Sequence, residues 1–168
     1  MLRDKGIDAY WFDKYSENLL ARGFEYDETL KVDIIAAFEV VEHLENPMET
    51  IRKIMSKSDC FIFSVLTLPK LNFHTAEEWW YFSPETGQHI FVPSSETLQW
   101  IANEIGCRYY CMLGLHVFSR KKKFQTIRRL DFSLYKYIHF ARKRLFNSKK
   151  FVSKTWDDHL IMKSKLNR

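Results

Sequence analysis

Apolar positions along the chain fall into two kinds of run. Residues 32–38 (VDIIAAF) and 60–68 (CFIFSVLTL) are almost continuously apolar, as strands covered on both faces of a parallel sheet would be, and Pro69 closes the second. Elsewhere the apolar residues recur at helical spacing. Asn46 and Pro47 form a helix start, since Pro is tolerated in the first turn, and Met48, Ile51, Ile54 and Met55 then share one face as far as Lys57. Residues 94–106 (SSETLQWIANEIG) carry Ser94 or Ser95 as N-cap, an apolar face at Leu98, Ile101, Ala102 and Ile105, and Gly106 as terminator. Nearer the start, residues 7–12 (IDAYWF) predict a short strand with Asp13 at its tip, followed by a helical pattern that stops at Gly23. The alternation of strand and helix predicts an α/β sheet with right-handed crossovers.

The alternation breaks at residues 70–93, an aromatic, turn-rich stretch too long for an ordinary connection. Beyond it, CRYYCML and LHVFSR, separated by Gly114, predict a closing antiparallel hairpin. Residues 127–146 predict a basic amphipathic helix with Leu130, Leu134, Tyr137, Ile138 and Ala141 on one side, and the last twenty residues are polar enough to pack only locally or not at all. The expected division is an α/β domain over residues 1–120 and a basic helical extension over residues 121–168.

Composition narrows the picture. In a chain of 168 residues, 46% hydrophobic and 28% charged positions are ordinary for a folded domain, whereas 16% aromatic residues is high. No apolar run reaches the roughly 20 residues that span a bilayer. The opening MLRDKGIDAYWFD has no signal-peptide core, so a cytoplasmic location is expected. Cys60, Cys107 and Cys111 are odd in number, lie in apolar segments and form no CxxC pair, which favours buried free thiols. The net charge of +5 is concentrated from Arg120 onward, a face that could meet an anionic surface. Nucleic acid is the weakest such partner, because a solvated basic helix face is the commoner meaning of such a run.

Three stretches, GIDAYWFDKYSENLLARGF, VDIIAAFEVVEHLENPMETIRKI and WWYFSPETGQHIFVPSSETLQWIA, together resemble class I S-adenosylmethionine-dependent methyltransferases of a bacterial methyltransferase-domain branch. The terminal TWDDHLIMKSK is similar to the tail of that branch. The resemblance implies a Rossmann-like sheet entered after its first strand, so that the first strand and the glycine-rich cofactor turn are expected to be missing. It implies that Asp13 takes the ribose hydroxyls of the cofactor, a role an ionised carboxylate can fill, and that Phe38 and Glu39 border the adenosine and methionine parts. From the residues alone, Asp13 could equally cap the helix predicted to follow it.

Glu39, Glu42 and His43 have ExxEH spacing, which puts all three on one face if the chain turns helical after the strand. Two carboxylates and an imidazole suit Mg²⁺, Mn²⁺ or Zn²⁺, and His89 in the GQH of the aromatic stretch would complete the set. Certain O-methyltransferases are similar here, which implies a metal beside the acceptor hydroxyl. Without metal, His43 or His89 is the candidate general base. A polar strand-to-helix corner with no chemistry is the bland alternative. Trp79, Trp80, Tyr81 and Phe82 offer flat surfaces to a small-molecule or saccharide-linked acceptor, or else plug the sheet edge.

The expected function is therefore transfer of a methyl group from S-adenosylmethionine to an oxygen or nitrogen of such an acceptor. A non-catalytic remnant or interaction module that binds no cofactor is the alternative. The apolar side of the basic C-terminal helix leaves self-association open.

Overall fold

The computed structural model describes residues 2–19, 21–69, 75–112, 114–121 and 152–166. It divides into two compact units, one of Lys31–Leu130 and one of Met1–Leu30 with Asp131–Arg168.

The first unit is a mixed α/β layer pair. Strand β1 (Ile35–Phe38) leads through helix α1 (Pro47–Lys57) to β2 (Cys60–Ser64), and helix α2 (Ser95–Glu104) leads to β3 (Arg108–Met112) and β4 (Leu115–Ser119). These strands form one four-stranded sheet in the order β1-β2-β4-β3. β1 and β2 are parallel, with Phe38 opposite Ser64, while β4 runs antiparallel to both β2 and β3.

The two helices form where their spacing predicts. Ser94 caps α2 by accepting the Thr97 N–H at 3.1 Å. At its far end Gly106 takes a left-handed φ of 69°, which glycine adopts without strain. Ile51 and Met55 of α1 and Leu98, Ile101 and Ala102 of α2 bury against Phe61 and Phe63 of β2 and Phe118 of β4. Alternation along β2 and its pairing with β4 put these three rings on one face, with centroids 4.8 Å apart for Phe61–Phe63 and 5.1 Å for Phe63–Phe118. His116, opposite Phe63, completes this face. It stays neutral between two partners: its Nδ1 lies 2.8 Å from the Tyr109 hydroxyl and its Nε2 3.0 Å from the Val65 carbonyl, and burial lowers its pKa.

Several expectations change. Residues 32–38 are not a strand covered on both faces: β1 alternates half-buried and exposed positions, with Phe38 exposed, and is an edge strand among the described residues. The second strand ends at Ser64, four residues short of Leu68. Cys60 and Cys107 are buried free thiols, but Cys111 is exposed.

The second unit departs further. Residues 7–12 form no strand: Trp11 makes a single parallel bridge to Glu25, donating its N–H to the Phe24 carbonyl and accepting from the Tyr26 N–H. Nor does a helix follow. Asp13 Oδ1 accepts the Tyr15 and Ser16 N–H groups at 2.7 and 2.9 Å, and Asn18 Oδ1 accepts the Ala21 N–H at 2.8 Å. Such short side-chain bonds give the backbone an alternative to the helical ladder.

Helix α3 (Thr155–Leu166) packs less locally than its polarity predicts. Lys154 donates its N–H to the Arg3 carbonyl at 3.1 Å, and its ammonium group lies 3.0 Å from Asp8. Arg3 also lies over the Phe24 ring. The predicted basic helix at residues 127–146 falls outside the described residues.

Candidate active site

The chain leaves β1 through a strained residue. Glu39 has φ 53°, a left-handed conformation that few non-glycine residues adopt. Ser64, at the end of the neighbouring strand, holds it on both sides: the Glu39 N–H donates to Ser64 Oγ at 2.9 Å, and the Ser64 hydroxyl donates to Glu39 Oε1 at 2.5 Å. Phe38 and Glu39 are thus exposed at the C-terminal mouth of two parallel strands, where α/β sheets place ligands.

The next turn is not the α-helix that the ExxEH spacing assumed. Val40 is outside helical geometry, and a 3-10 turn spans Val41–His43. Glu39 consequently does not share a face with Glu42 and His43. Glu42 is 0% exposed, while His43 reaches solvent.

A strap from the aromatic stretch crosses this turn. Ile90 and Phe91 both donate their N–H groups to the Glu42 carbonyl, at 2.9 and 3.0 Å. His43 Nδ1 lies 2.9 Å from the Gln88 carbonyl, and His89 Nδ1 lies 2.5 Å from the Tyr81 carbonyl. A carbonyl only accepts, so each Nδ1 carries a proton, which leaves Nε2 as the nitrogen through which either ring could ligate a metal. The rings meet edge to face with centroids 4.9 Å apart.

Glu42, His43 and His89 offer one ligand atom each, all within 4.8 Å of one another. The Tyr81 hydroxyl donates to Glu42 Oε1 at 2.8 Å, and Glu42 Oε2 is buried with no hydrogen-bond partner. An orphaned carboxylate oxygen costs a few kcal/mol in an apolar setting. A buried carboxylate with one unpartnered oxygen, grouped with two imidazoles, is a donor set that fits a borderline-hard divalent cation. Asp13 belongs to the other unit, where its Oδ1 is committed to the Tyr15 and Ser16 amides; those bonds hold its carboxyl below the ordinary range.

The family model described as "Methyltransferase domain" matches residues 1–111 of the 168. The chain belongs to the methyltransferase domain family. No curated protein and no solved structure matches it.

Two residues of this methyltransferase domain escaped the sequence reading. Ser64 reads as one small polar residue in an apolar strand, and nothing local shows its link to Glu39. Tyr81 reads as one of four aromatics offered to an acceptor, whereas it is buried in the core and bonded to Glu42; Trp80 beside it is exposed. The one available signal was chemical, since a buried tyrosine hydroxyl needs a partner.

Proposed function

We propose that this domain transfers a methyl group from S-adenosylmethionine to a hydroxyl of a small-molecule or saccharide-linked acceptor, beside a divalent cation held by Glu42, His43 and His89. The observation that carries the proposal is the buried Glu42 carboxylate, whose Oε2 has no hydrogen-bond partner, grouped with His43 and His89 so that one ligand atom from each lies within 4.8 Å of the others. A cation there would lower the pKa of an acceptor hydroxyl, and S-adenosylmethionine would supply the electrophilic methyl group.

The chain's own residues do the rest by positioning. Phe38 presents an apolar surface and Glu39 a carboxylate at the strand mouth, the first for adenosine and the second for a polar part of the methyl donor. Ser64 fixes the direction of that carboxylate. His43 is the exposed member of the cluster, so the acceptor would approach from its side, and only in the absence of a cation would its Nε2 be free to take the hydroxyl proton. This reading is confined to the sheet unit.

The test is calorimetry of the full chain with S-adenosylmethionine, together with elemental analysis. Saturable binding weakened about tenfold or more in Glu39→Ala, with one Zn²⁺ per chain lost in Glu42→Ala, is expected. Absence of both binding events would leave a methyltransferase scaffold that serves only as an interaction module.

A further inference from the structure

We infer that Tyr81 is the positioning residue of the cation site, setting two of its three donor atoms from opposite ends of one residue; the inference rests on the cation reading above.

At the side-chain end, the Leu66 N–H donates to the Tyr81 oxygen at 3.1 Å. The phenol's single proton is directed to Glu42 Oε1, 2.8 Å away. That bond occupies one carboxylate oxygen and leaves Oε2 as the donor atom. At the backbone end, the Tyr81 carbonyl accepts from His89 Nδ1 and leaves Nε2 free. The ring between these ends also lies against His89, with centroids 4.4 Å apart. Tyr81 is itself 2% exposed, so it is fixed by packing and reaches no substrate. A 3-10 turn over Trp80–Phe82 sets its direction, with Trp79 packed against the ring and Trp80 turned to solvent.

The deciding variant is Tyr81→Phe in the full chain, which keeps ring and carbonyl and removes only the hydroxyl. Zn²⁺ affinity, measured by competition with a chromogenic chelator, is expected to fall about 10- to 100-fold, the usual effect of losing an outer-shell partner. His89→Ala should abolish binding. A wild-type affinity retained by Tyr81→Phe would overturn the positioning role and leave the cation site standing. The second readout needs no metal: in ¹³C-glutamate-labelled apo protein the Glu42 carboxyl resonance is expected to move in Tyr81→Phe. An unmoved resonance would overturn the inference whether or not Zn²⁺ binds. A resonance that moves in Tyr81→Phe while the wild-type chain takes up no Zn²⁺ would sink the cation reading, and with it the role for Tyr81 in a cation site.

Discussion

Arg3 and Asp158 form a two-pronged ion pair across 155 positions of chain: Nε and Nη2 of the guanidinium each lie 2.6 Å from a different carboxylate oxygen. Planar guanidinium matches carboxylate in this geometry, and both side chains are mostly shielded, at 15% and 14% exposure. Arg3→Ala is expected to destabilise the unit that holds α3 by about 1 kcal/mol. Faster limited proteolysis around residues 152–158 is the readout, and the charge-exchanged double variant should recover part of the loss.

The same pair predicts a pH response. Hydrogen bonding to Arg3 holds the Asp158 carboxyl below its ordinary value of 3.8. A depressed carboxylate contributes stability that is present above the unfolded pKa and lost as pH falls through the folded one. Proteolytic protection of α3 should therefore hold at neutral pH and begin to decline only below about pH 4, whereas Asp158→Asn should show a weaker pH dependence at all acidities.

His116 predicts a second, separate slope. Burial lowers its pKa from 6.5, so between the folded and unfolded values only the unfolded chain takes the proton. Its contribution is thus complete above about pH 6.5 and declines as pH falls. Protonation would also take the Nδ1 lone pair that lies 2.8 Å from the Tyr109 hydroxyl. Denaturant midpoints from pH 7 to 5 should fall less steeply in His116→Gln than in the wild type, even if that variant is less stable throughout.

Glu39 should separate stability from function. Its left-handed backbone costs about 1 kcal/mol that glycine would not incur. Glu39→Gly is expected to be more stable than Glu39→Ala by about that amount in thermal unfolding, while both lose the carboxylate and should weaken the proposed S-adenosylmethionine binding alike.

Ser94→Ala should lower stability by about 1 kcal/mol through loss of the α2 cap, leaving Zn²⁺ affinity unchanged. It serves as the control that ordinary destabilisation does not mimic the Tyr81 effect.

What was legible in the sequence followed the range of each interaction. α1 and α2 announce themselves because period, cap and terminator all lie within a dozen residues, and β2 because its apolar run is continuous, although the strand ends at Ser64 and not at Pro69. Residues 7–12 carried equal apolarity yet form one bridge, since a strand needs a partner and the pattern does not name one. The candidate site divides in the same way. His43 and His89 were readable as metal-type residues, and Glu42 by its spacing from His43. That Glu42, His43 and His89 group together without Glu39 could not be read from spacing, because the chain turns at a left-handed Glu39, nor could the bond of Tyr81 to Glu42, which spans 39 positions.

The placement of β4 between β2 and β3 has a consequence for synthesis. Every residue of the proposed cation cluster lies before position 90, yet β2, which frames that mouth, keeps one edge unpaired until residues 115–119 have been made. The nascent chain must therefore carry an apolar strand, Cys60–Ser64, with open backbone groups for about fifty further residues. At ordinary elongation rates that is several seconds of exposure, in which a chaperone or the translation rate itself could govern how much of this protein reaches the folded state.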